Sequence, residues 1–110
     1  YRPKAQLEAL LGRGPLERLT KHTISSMSQL RRELEKVRDQ GFALDREECE
    51  EGACCIAVPI FNAQGDVDAA LGISAPTTRL TPRRMEELIP MMLRTGREVS
   101  AQLGFSGPAR

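Results

Sequence analysis

Residues 53–75 read "ACCIAVPIFNAQGDVDAALGISA". Side chains alternate across a strand, so the two apolar runs in this stretch each present two distinct faces. From Ala53 to Phe61 the even positions are Cys54, Ile56, Val58 and Ile60, and the odd ones are Ala53, Cys55, Ala57, Pro59 and Phe61. From Asp66 to Ala75 the bulk lies on Val67, Leu71 and Ile73, while Ala70, Gly72 and Ser74 are small. With "NAQG" as the loop, this predicts an antiparallel hairpin in which Phe61 faces Asp66. Ile60 then meets Val67, Val58 meets Ala69, Ile56 meets Leu71 and Cys54 meets Ile73. On the reverse face Ala57 meets Ala70, Cys55 meets Gly72 and Ala53 meets Ser74. A slip of one residue would mix the large and small sets. Cys54 therefore reads as a small core hydrophobe. Cys55 sits on a face of Ala, Gly and Ser, which leaves space above it. That space is either filled by a closely packed helix, the commoner use of small strand residues, or open as the floor of a ligand pocket.

The rest of the chain frames this hairpin. Pro3, the stripe Leu7, Leu10, Leu11 and the stop at Gly12 predict a short first helix. Gly12, Gly14 and Pro15 impose an irregular connection. A second helix is expected over 28–40, with Leu30, Leu34 and Val37 on one face, Ser26 or Ser28 as cap and Gly41 as its stop. "GFALD" (41–45) reads as a short strand with Phe42 and Leu44 on the core side and Asp45 on the other, and "REECEEG" (46–52) as an acidic loop. The last helix opens with Thr81 as N-cap and Pro82 at its first position. Its expected buried side is Met85, Leu88, Ile89, Met92, Leu93, Val99 and Leu103, and Pro90 should kink or loosen one turn. "GFSGPAR" (104–110) reads as a frayed tail, so the expected division is one domain over 1–105 and a flexible tail over 106–110.

Composition narrows the function. A chain of 110 residues suffices for one core and not two. No apolar run approaches a membrane span, and the opening residues carry no signal pattern. A net charge of +1 and 4% aromatic residues argue against a domain that binds nucleic acid in its own right. Three cysteines without a secretory signal read as reduced thiols in a cytoplasmic protein. A zinc site from Cys49, Cys54, Cys55 and His22 is disfavoured, because neighbouring cysteines point to opposite strand faces and no Cys-x2-Cys pair exists. A Cys–His nucleophile has only His22 to draw on, in a turn-rich connection where nothing orients it. No cofactor is expected, and no enzyme.

Gly41, Phe42, Asp45, the acidic run to Glu51-Gly52, Cys55-Ile56-Ala57, Pro59, Gly65, Ala69-Ala70, Ser74, Pro76, Arg79 and Leu80-Thr81 form an ordered string. Together with "LERLTKHTIS", "ELEKVRDQGF" and "REVSAQLGF", it resembles the effector-binding domain of the IclR family of bacterial transcription regulators. The resemblance implies an α+β, GAF/PAS-like antiparallel sheet flanked by helices. It implies homodimers or homotetramers, and DNA contact only through an N-terminal winged helix-turn-helix domain that this chain lacks. It implies a pocket for a small organic acid or aromatic metabolite, with Asp45, Cys55 and Ser74 at lining positions and Ala57, Ala70 and Gly72 completing the floor. Two features depart from the family pattern. Gly72 stands where the family can carry Ser, which removes a hydroxyl and opens volume. The chain also begins late and without Met, as expected of a processed or excised piece whose sensor domain is truncated at its N-terminal side. The rival readings are a GAF-like oligomerisation module with its small face packed shut, and a thiol-based redox or enzymatic site at Cys55.

Overall fold

The computed structural model describes residues 1–12 and 15–107. Gly14 of the expected irregular connection and residues 108–110 of the expected tail lie outside the described residues. The order is α1 (Lys4–Leu11), α2 (Met27–Gln40), β1 (Ala43–Arg46), β2 (Ala53–Phe61), β3 (Val67–Pro76) and α3 (Pro82–Gln102). The strands form one antiparallel sheet in the order β1-β2-β3. The molecule is a slab of 40 × 37 × 17 Å.

Capping chemistry sets the helix ends. Ser26 Oγ accepts from the Gln29 N–H, and Gly41 ends α2 at φ 86°, a left-handed turn that glycine adopts without Cβ strain. Thr81 Oγ1 accepts from the Arg84 N–H at 3.2 Å, and Pro82, with no N–H to lose, opens α3. The helix then runs unbroken through Pro90, which lies on the exposed side where water can serve the freed carbonyl.

The core is the large face of β2 against α3. Ile56 and Val58 are fully buried, Cys54 and Ile60 nearly so, and Leu80, Met85 and Met92 close over them. Two α3 residues outside the expected stripe lie close against β2. A Cβ on Gly96 would lie 2.9 Å from Val58 Cγ2, so only glycine lets helix and strand come this near. Ser100 is buried; its hydroxyl donates to Gly96 O at 2.7 Å and accepts from the Phe61 N–H at 2.9 Å. Val99 and Leu103, expected inside, are 37% and 52% exposed, because the helix turns its Gly96–Ser100 edge onto the strand instead.

The hairpin register differs from the expected one by two residues. Ile56 meets Ile73, Val58 meets Leu71, Cys55 meets Ser74 and Ala57 meets Gly72. The loop explains the shift. Asn62 pairs with Asp66, Gly65 at φ 85° donates to Asn62 O, and three residues turn the chain where four were expected. A bulge next to Ile60 and Phe61 then takes up one more residue of β3. A shift of two leaves every side chain on its expected face, so the alternation could not reveal it.

The ends are tied down. Phe105 donates its N–H to Ser100 O and stacks on Phe61 with centroids 4.7 Å apart, and Tyr1 meets Phe61 edge-on at 5.6 Å. Phe105, within the stretch read as a frayed end, is half-buried and packs on Phe61. α1 and α2, by contrast, bury no residue completely, and Leu10 is 68% exposed.

Candidate functional site

The pairing carries Asp45, Cys55 and Ser74 into one row across all three strands, since Asp45 faces Cys55 and Cys55 faces Ser74. Ala43, Ala57 and Gly72 form the next row, and Pro59 with Ala70 the one after. All six predicted site residues therefore share one face. Adjacent strands lie about 4.8 Å apart, so the Asp45–Cys55–Ser74 row is about 10 Å long, the span of a small ring with its substituents.

This face is open. Ala70, Gly72 and Ser74 are exposed, and Asp45, Cys55 and Ala57 are half-buried. α3 covers the other face. A Cβ on Gly72 would meet Ile56 O at 3.4 Å and Cys55 Sγ at 3.8 Å, and no atom of another element. No helix therefore requires that glycine. The smallness of the face serves no packing within the described residues.

Each polar group has a defined state. Asp45 Oδ1 accepts from the Glu48 N–H at 2.9 Å and so caps the acidic loop. Burial pushes the Cys55 thiol up, and the Asp45 carboxylate and Cys54 add to the shift, so Cys55 is a neutral S–H at physiological pH. Its nearest acceptor is Ile56 O at 3.7 Å. Cys54 is also pushed up, by burial first and then by Glu47 and Asp45. Its thiol donates to Leu80 O at 3.3 Å inside the core. The two neighbours point to opposite faces, as alternation requires.

The connection before α2 supports the loop under this row. Thr20 Oγ1 donates to Glu47 O and Thr23 Oγ1 to Glu48 O. Glu47, at φ 59°, is held in the left-handed region and accepts the Gly52 N–H on Oε1. His22 Nε2 lies 3.8 Å from Glu47 Oε2, so the imidazole that seemed unoriented has a carboxylate neighbour. The two threonines were missed as supports of the site; the hydroxyl-rich "TKHT" was the available signal. Among the described residues no three His, Cys, Asp or Glu side chains gather to hold a metal ion. No helix among them is long and apolar enough to cross a membrane.

Among the described residues, hollows lie away from the small face. One of about 160 Å³ sits between Phe61, Phe105 and the second half of α3. One of about 300 Å³ lies between α1 and α2. A third, about 590 Å³ and open, is bounded by residues 18–25 and α2.

Comparison with known proteins agrees with this architecture. The regulator KdgR of Escherichia coli K12, described as an HTH-type transcriptional regulator, is 40% identical over 105 residues, which is 96% of this chain and 40% of that protein. The crystal structure of the C-terminal domain of E. coli KdgR superposes with a TM-score of 0.84 over 94% of this chain and 63% of that one. The inducer-binding domain of PobR from Acinetobacter, a double mutant crystallised with 3-hydroxybenzoic acid, is 34% identical with a TM-score of 0.79 over 91% of this chain and 57% of that one. The chain thus spans about two fifths of the curated relative. The family model for the bacterial transcriptional regulator IclR C-terminal domain matches residues 1–101, and the chain belongs to that family.

Proposed function

We propose that the chain is the non-enzymatic sensing part of a cytoplasmic transcription regulator, and that a small organic acid or aromatic metabolite binds on the small face. The observation that carries this reading is the Asp45–Cys55–Ser74 row, set on a small-residue face against which no described element packs. Asp45 accepts hydrogen bonds from a hydroxyl, the neutral Cys55 thiol offers a weak donor, and the Ser74 hydroxyl donates to an anionic oxygen. An acidic effector lies with its charged end away from Asp45 and toward Ser74, since like charges repel. Gly72, without a hydroxyl or a methyl, favours a bulkier or less polar ligand than a face with Ser there. The PobR domain, crystallised with 3-hydroxybenzoic acid, supports an aromatic acid as one such ligand. Binding favours one of two conformations, and in a homodimer or homotetramer that difference re-spaces winged helix-turn-helix domains on DNA.

The upward-shifted Cys55 thiol speaks against the redox or nucleophilic alternative, which needs a thiolate at neutral pH. The deciding experiment is a thermal-shift screen of the intact regulator with small carboxylates and aromatic acids, 3-hydroxybenzoate among them. A ligand at about 100 times its Kd stabilises by about 2.7 kcal/mol, a readily measured rise in Tm. Cys55→Leu should abolish the rise and leave the unliganded Tm nearly unchanged. A stabilising ligand whose effect survives Cys55→Leu would place the site elsewhere.

A further inference from the structure

The open hollow between residues 18–25 and α2 is lined mainly by cations and neutral polar side chains. Its walls carry Arg18, Lys21, Arg32 and Lys36 with Glu33 as the one carboxylate, a net charge of +3 with His22 neutral. The whole chain carries +1, so the remainder is net negative; the hollow between α1 and α2 also holds four cations, Arg2, Lys4, Arg31 and Arg38, but Glu8 and Glu35 offset them and Glu8 pairs with Arg31. Arg18 is fixed in place: Nε donates to Thr20 O at 3.1 Å and Nη2 to Lys21 O at 2.7 Å. Both acceptors are neutral carbonyls, which orient the guanidinium and leave its charge uncompensated. Among the described residues none of the four cations forms an ion pair with a carboxylate, whereas Arg31, Arg83 and Arg84 each do. Arg32 and Lys36 stand one helical turn apart, about 6 Å along α2, and line the same hollow as Arg18 and Lys21. Ser25 and Gln29 add neutral donors.

We propose that this hollow binds the phosphate backbone of duplex DNA. Its breadth and openness suit a polyanion running through it and not an enclosed metabolite. Ile24 is the one apolar wall, so there is no greasy face to enter a lipid surface. With no aromatic residue to stack and no recognition helix, the contact is to phosphates and independent of sequence. It is an auxiliary contact, consistent with a chain whose overall charge is too low to bind DNA alone with high affinity. The proposal rests on the regulator reading only in that a regulator holds its sensor beside a duplex.

The test uses the chain itself and a fluorescein-labelled 20-base-pair duplex, followed by anisotropy at 50 mM salt and above, with no effector present. Binding that weakens with salt is expected. Arg32→Ala with Lys36→Ala should weaken it at least about tenfold and reduce the slope of log K against log salt by about 2. The swap Arg32→Lys with Lys36→Arg should retain it. Arg94→Ala with Arg97→Ala removes two cations from α3 and should change it less than twofold. Equal loss in both alanine pairs, no binding at 50 mM salt, or binding to pyrophosphate or phosphatidylserine vesicles without binding to the duplex would overturn the assignment. A chain that binds the duplex while the regulator answers no effector overturns only the sensor reading, and the reverse result overturns only this one.

Discussion

The two faces of the sheet are built from the same strands and put to opposite uses. On one, Ile56 and Val58 vanish beneath α3. On the other, Ala70, Gly72 and Ser74 stand in the open with a carboxylate, a thiol and a hydroxyl aligned among them. The difference separates residues whose bulk fills the core from residues that leave space above the sheet. Burial of large side chains explains itself by the free energy of removing apolar surface from water. Small, exposed side chains in a strand explain nothing about stability, since Gly weakens a strand and Ala packs poorly in it. Such a face therefore points to something outside the covalent core.

That contrast can be broken by substitution. Ile56→Ala should destabilise by about 2–5 kcal/mol, because the large face cannot collapse around the lost methyl groups. Gly72→Ala, on the other face, should leave stability unchanged or raise it by up to about 0.5 kcal/mol, because its methyl meets only ordinary contacts. Urea unfolding of the two variants is the measurement, and comparable losses would show that the small face is a packing surface after all. Ser100→Ala sharpens the account of the sealed side. It strips the Phe61 N–H of its acceptor beside the buried Ser100 and should lose about 1–3 kcal/mol, far beyond what an exposed Ser→Ala change does. A loss as small as that of Ser74→Ala would show that the hydroxyl is not needed there.

The smallest effect belongs to the acidic loop at the edge of the open face. Glu48 is pushed up chiefly by burial, with Asp45 and Glu33 adding to the shift, against the Arg46 N–H that lowers it. A carboxyl whose pKa is higher folded than unfolded binds its proton more tightly in the native state, so ionising it disfavours folding. The penalty is fully present above the raised folded pKa and disappears as pH falls below the unfolded value of about 4.5. Glu48→Gln should thus stabilise slightly at pH 7, by less than about 0.5 kcal/mol after solvent screening, and not at pH 3.5. Thermal melts at the two pH values compare the variant with the parent; a gain that persists at pH 3.5 contradicts the electrostatic cause.

Much of this was legible in the residues. The strand 53–61, the caps of α2 and α3, the opposite fates of Cys54 and Cys55, and the gathering of Asp45, Cys55, Ala57, Ala70, Gly72 and Ser74 on one face all followed from alternation and capping chemistry. The register did not, because a period of two is blind to a shift of two. Nor did the inner edge of α3. Gly96 and Ser100 carry no hydrophobic signal, yet they lie against β2, while Val99 and Leu103 are partly exposed.

The sequence by itself determined which side chains share a face, because backbone geometry fixes that residue by residue. Only the tertiary structure decided which face is covered, how far the strands slide, and that four separate cations border one hollow. Those outcomes depend on distances between segments far apart in the chain, which no local pattern encodes.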